Sequence, residues 1–161
     1  MLVNYCELWN RQHKEVIGPL TADSALERER NSQNYTVIIG NTRHPECFIE
    51  INPATGFFGV SFLDHRQREY LAYGFILQLN GLLFLSQATY QEFEDNEDRP
   101  LRGTAYFFDT DGRMRIERGE QPFSAGLVSE GRFDPTTHWE KRPLFGQYGD
   151  LIRKERPVSS G

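Results

Sequence analysis

EYLAYGFILQLNGLLFLSQATY, residues 69–90, decides the fold. From Glu69 to Leu79, Leu71, Tyr73, Phe75, Leu77 and Leu79 fall at every second position, the period that lines one side of a strand. Asn80-Gly81 then separates two apolar runs. A two-residue hairpin turn of type I′ needs positive φ at both positions, and Asn-Gly tolerates this best. The return strand runs from Leu82 to Tyr90.

The same punctuation continues outward on both sides. Tyr35 to Gly40 is β-branched and apolar, and Asn41 to Pro45 is rich in turn formers. From Glu46 to Ile51, Cys47, Ile49 and Ile51 share one face, with Glu46 and Glu50 on the other. Asn52 to Gly56 is a turn, Phe57 to Leu63 puts Phe58, Val60 and Phe62 together, and Asp64 to Arg68 is a charged connection. Downstream, Thr104 to Phe108 leads through Asp109-Thr-Asp-Gly112 to Met114 to Arg118, and Leu127 to Phe133 adds a strand. The connections are too short for crossovers, so the strands are antiparallel.

The fold class expected is therefore α+β and mainly β: an antiparallel meander of seven to eight strands with one or two short N-terminal helices. Thr21 or Asp23 caps a helix to about Arg30, anchored by Leu26. Met1 to Trp9 reads equally as strand or helix. Ile49, Ile51, Phe58, Val60, Phe62, Phe75, Leu77, Phe84 and Leu85 are the expected core. From Pro135 on, the chain reads as irregular, pinned by Trp139, Leu144, Phe145, Tyr148, Leu151 and Ile152. Residues 1–156 make one domain, and 157–161 read as a flexible tail.

Composition narrows the function. With 18 Lys and Arg against 23 Asp and Glu, the formal charge is −5. General nucleic-acid binding needs a basic footprint, so it is not expected. No apolar run approaches the roughly 18 residues of a membrane span. Glu7 stands where a signal peptide would be apolar, so a cytoplasmic site of action is expected, with Cys6 and Cys47 as free buried thiols.

Catalytic signatures are not legible. Asp109-Thr110-Asp111-Gly112 begins like a calcium loop, but its glycine comes too early and no bidentate glutamate follows. His13, His44, His65 and His138 make no zinc spacing. His65 is a candidate base by type but reads as a solvated turn residue. No catalytic role, metal or cofactor is expected. The informative segment is Glu92, Phe93, Glu94, Asp95, Asn96, Glu97, Asp98: five acids in seven residues between two strands. Such a loop projects a field that steers a basic partner, with Phe93 as an aromatic anchor. Its bland alternative is a solvated loop that blunts a sheet edge. Asp64 to Arg68, with charges of both signs, is the second candidate surface.

GFFGVSFLD (56–64), REYLAYGF (68–75) and LLFLS (82–86), with the 104–118 hairpin and FGQYGDLIRKER (145–156), together resemble small bacterial immunity proteins. These are encoded beside polymorphic toxins delivered by contact-dependent or type VI secretion systems, Rhs-repeat toxins among them. The resemblance covers roughly residues 35–156 and rests on glycines and aromatics of a sheet, so it carries over no contact residue. It implies a cytosolic antitoxin that blocks a cognate toxin domain by tight contact, with no nucleic-acid or membrane partner. The alternative is a small-ligand-binding β-barrel or cup, lined by the two apolar faces of 69–90. An enzyme of unfamiliar type is the third reading.

Overall fold

The structure is a computed structural model of the chain and describes residues 1–120 and 126–157. Alternation along 69–90 produces the expected hairpin, β6 (Glu69–Leu77) and β7 (Leu82–Glu92). Its turn is not type I′. Gly81 takes the left-handed conformation at φ +82 and Asn80 does not. The Gly81 amide donates to Gln78 O at 3.0 Å, and the Asn80 side chain accepts the Leu82 amide at 3.0 Å. This is a type I turn closed by a left-handed residue, the three-residue loop with a bulge. Asp64–Gln67 and Asp109–Gly112 close in the same way, with Gln67 at φ +61 and Gly112 at φ +94.

Eleven strands form one antiparallel sheet among the described residues, more than the seven to eight expected. The additional ones are β1 (Val3–Asn10), β2 (Glu15–Leu20) and the three-residue β11 (Trp139–Lys141). The rest are β3 (Tyr35–Gly40), β4 (Pro45–Asn52), β5 (Phe57–Leu63), β8 (Arg102–Phe108), β9 (Arg113–Glu120) and β10 (Leu127–Arg132). The order is β10-β9-β8-β7-β6-β5-β4-β3-β1-β2, with β11 beside β7. The sheet is a meander except that β1 lies between β2 and β3. It is not closed into a barrel: β10 and β2 are its two edges.

One helix, α1 (Ala22–Arg30), lies near the N-terminus, and Thr21 caps it by accepting the Ser24 amide at 3.1 Å. Its buried anchor is Ala25, not Leu26, which is half-buried. A small residue at that position lets the short helix sit close against the sheet.

One register row crosses the sheet through Tyr5, Val37, Ile49, Val60, Tyr73, Ala88, Tyr106 and Ile116. This is the core face, and all the expected core residues are buried except Leu77, which is half-buried near the strand end. Leu79, read as the last residue of β6, stands fully exposed in the turn.

The C-terminal chain covers this face as a strap and is more ordered than expected. A 3₁₀ turn (Pro135–His138) leads into β11, which pairs Trp139 with Phe84 on the edge of β7 that β8 occupies further along. At this fork His138 donates from Nδ1 to Leu85 O at 3.1 Å, packed 4.4 Å from both Phe108 and Phe133. Tyr148 and Leu151 are buried, Phe145 stacks on Tyr5 at 5.0 Å, and Tyr73 donates to Lys154 O at 2.5 Å. Leu144, an expected pin, is exposed. Residues 158–161 of the expected flexible tail lie outside the described residues. Cys6 and Cys47 are free and buried in different apolar clusters, which keeps them from pairing.

Candidate functional site

The middle of the other face of the sheet is built from small and polar residues. Register places Gly59 beside Gly74, and Ser61, Ala72, Thr89 and Ala105 in one row. Such side chains leave a shallow floor. The Phe57 ring lies across the glycines, and a Cβ on Gly59 would meet it at 2.7 Å.

One corner of this floor is roofed. β1 pairs with β3 only through Cys6, then continues with β2 alone. The hairpin swings inward, and Trp9 packs with Cys6, Ile38, Phe48 and Leu63 in a second buried cluster. Between its tip and the chain after β7 lies a pocket of about 440 Å³, lined by Trp9, Lys14, Leu63, Gln91, Phe93 and Asp98 among others. A hollow of about 140 Å³ over Gly59, Ala72 and Gly74 shares Arg11 and Glu69 with it. A third, about 410 Å³ over Thr89, Ala105 and Val128, shares Gln87 and Thr89 with the second. Together they form a trough along the open face.

Arg11 bars the trough. Its guanidinium donates to Glu50 at 2.6 and 3.3 Å, and to Glu69 Oε2 at 3.0 Å, with the ring of Phe48 at 5.0 Å. Ser61, buried, donates to Glu69 Oε1 at 2.8 Å and fixes that carboxylate. Burial alone would lower the Arg11 pKa, but the two carboxylates outweigh it and raise it.

The acidic segment forms one wall. Glu92 ends β7 and pairs with Arg102 at 3.0 Å, and Asp98 pairs with Lys14 at 3.0 Å. Among the described residues Glu94, Asp95 and Glu97 have no ion pair, and all three are exposed. Phe93 points inward onto the Arg68 guanidinium at 4.7 Å. Arg68 is the keystone of the loop. It donates to the carbonyls of Glu94 at 2.7 Å and Glu97 at 2.8 Å, and pairs with Asp64 at 2.9 Å. Burial pushes the Asp64 carboxyl up, but the Arg68 amide and guanidinium and the Arg66 amide leave it lowered overall. The two surfaces read separately from the sequence, 92–98 and 64–68, are thus one unit.

Sequence reading did not find Arg11, Lys14, Glu50 or Glu69 as site residues. Glu50 was legible as a polar-face residue of β4, but its partner lies on a hairpin distant in the chain. His13, His44 and His65 are exposed, His138 is buried in the core, and no metal-binding group of His, Cys, Asp and Glu occurs among the described residues. Among the described residues no helix is long and apolar enough to cross a membrane. Comparisons with protein-family models, curated proteins and solved structures give no match.

Proposed function

We propose that this protein is a binding protein that neutralises a cognate toxin acting in the cytosol, with no catalysis of its own. It would block the toxin's active site by contact through the acidic loop and the open sheet face. The observation that carries this reading is the loop held by a buried arginine with the unpaired carboxylates of Glu94, Asp95 and Glu97 turned to solvent. A toxin that acts on nucleic acids or nucleotides needs cationic groups to hold phosphates. A preorganised anionic loop matches that surface without an ordering cost at binding and accelerates encounter. The toxin class itself rests on the resemblance of the sheet's glycine and aromatic motifs to immunity proteins. The roofed pocket of about 440 Å³ supports a second reading, a small-ligand cup, since its volume falls within the usual range for ligand sites.

The test is coexpression with the toxin domain that this reading expects the adjacent upstream reading frame to encode. Glu94, Asp95, Glu97 and Asp98 are replaced together by Lys, with folding verified by circular dichroism. The expected result is a one-to-one complex for the unaltered protein and, for the variant, slower association, weaker salt dependence and loss of protection. Full protection by the variant would remove the loop from the contact surface.

A further inference from the structure

We propose that the trough receives an arginine side chain of the partner, and that Arg11 and Lys14 hold its place in the free protein. This rests on the proposed reading in taking the partner to be a basic protein, and adds which basic group it presents and where.

The recess around Arg11 has the chemistry of a guanidinium site. Glu50 on β4 engages two nitrogens of one guanidinium, and Glu69 on β6 takes the third. The strand between them contributes Gly59 and Ser61, which leave the space open and orient Glu69. Phe48, fully buried, supplies an aromatic platform. A planar fork satisfies two carboxylates and a ring face together, whereas an ammonium is a point charge that cannot.

The present occupant is held at a surface open to solvent, where a competing guanidinium can reach it. The Arg11 side chain is 49% exposed and that of Glu50 39%, while Glu69, at 22%, is the more sheltered partner. The tip's second tie, Lys14 to Asp98, involves an acid that is 63% exposed. Release of the tip joins the two hollows that Arg11 and Glu69 share, and frees Glu50, Glu69 and Asp98. The tip is an internal stand-in for the partner's basic segment.

The probes are hexa-arginine and hexa-lysine, titrated at low salt. In a variant carrying Arg11→Gln and Lys14→Gln, hexa-arginine affinity is expected to rise about tenfold over the unaltered protein, since the site no longer has an internal competitor. Hexa-lysine should gain much less. Adding Glu50→Gln and Glu69→Gln should erase the gain. An absent gain, an equal gain for hexa-lysine, or a gain that survives the glutamate replacements would overturn the proposal. Should the tip variant not fold, the unaltered protein gives the answer. Trp9 lines the pocket beneath the tip, so hexa-arginine displaces its indole NMR resonance and hexa-lysine does not. An unmoved resonance refutes the site. The loop residues 94–97 are untouched throughout, so failure here is separable from failure of the charge-reversal experiment.

Discussion

Replacement of Arg68 by Ala is the sharpest test of how the acidic loop is held. The guanidinium is 8% exposed and serves three acceptors: the carboxylate of Asp64 and the carbonyls of Glu94 and Glu97. Hydrogen bonds to a charged group contribute about 1.5–3 kcal/mol each, and removal of one partner of a buried pair costs about 3–5 kcal/mol. These do not add. Asp64 keeps the amides of Arg66 and Arg68 at 2.9 and 3.0 Å, and the loop carbonyls reach water once the loop loosens. The expected loss is therefore about 3 kcal/mol in urea unfolding. Arg102→Ala, which breaks an exposed pair with Glu92, should cost below about 1 kcal/mol. Hydrogen exchange should quicken at the amides of Glu97 and Leu101, whose acceptors are Glu94 O and Glu92 O. The lowered Asp64 pKa supplies a second readout. A carboxyl with a depressed folded pKa contributes stability that is complete above its unfolded value and is lost as pH falls through the folded one. The gap between wild type and variant should therefore narrow below about pH 4. A stability loss under about 1 kcal/mol with unchanged loop exchange would refute the keystone role.

Three other substitutions or treatments discriminate single causes. Gly56→Ala should destabilise clearly more than Gly81→Ala in parallel thermal melts: both have positive φ, but a Cβ at Gly56 meets Leu77 Cβ at 2.7 Å while Gly81 faces open space. Burial holds the His138 pKa below its ordinary value despite the Leu85 carbonyl, so the folded protein resists protonation that the unfolded chain accepts. Wild-type stability thus falls as pH drops below about 6.5, and His138→Phe, which costs about 1–3 kcal/mol at neutral pH by orphaning Leu85 O, should close part of that gap by pH 5 in urea titrations. Burial raises the thiol pKa of Cys6 to about 11 and of Cys47 to about 12, so a thiol reagent at pH 8 should label both only after denaturation; rapid labelling of the native protein would contradict their placement.

Among the strands from β3 to β9, β4, β6 and β9 were legible by alternation of apolar and polar positions, and β3, buried along most of its length, by its β-branched apolar run. β2 was not, because Gly18 and Pro19 interrupt its six residues and read as punctuation. At an edge those residues are tolerated, since one side of the strand needs no partner. β11 escaped because three residues carry no period. The turn at Asn80-Gly81 was located correctly and typed wrongly: the asparagine serves as a hydrogen-bond acceptor instead of adopting positive φ. At the site, the acids of 92–98 were visible as composition, but their support was not. In the sequence Arg68 belongs with its own turn, and nothing local says that its guanidinium reaches across to the carbonyls of Glu94 and Glu97. Arg11, Glu50 and Glu69 come from three separate elements, so the register that gathers them exists only in the folded sheet.

The strap that covers the core face is synthesised after every strand it touches. While the ribosome adds roughly 5–20 residues per second, β3 to β9 emerge with Val37, Ile49, Val60 and Phe75 still bare on one side. Their hairpins form locally, but the apolar layer is sealed only when Tyr148 and Leu151 arrive and Arg156 settles over Phe75 with Glu140 as its counter-ion. A translation product halted before residue 148 would present that greasy surface to chaperones and proteases.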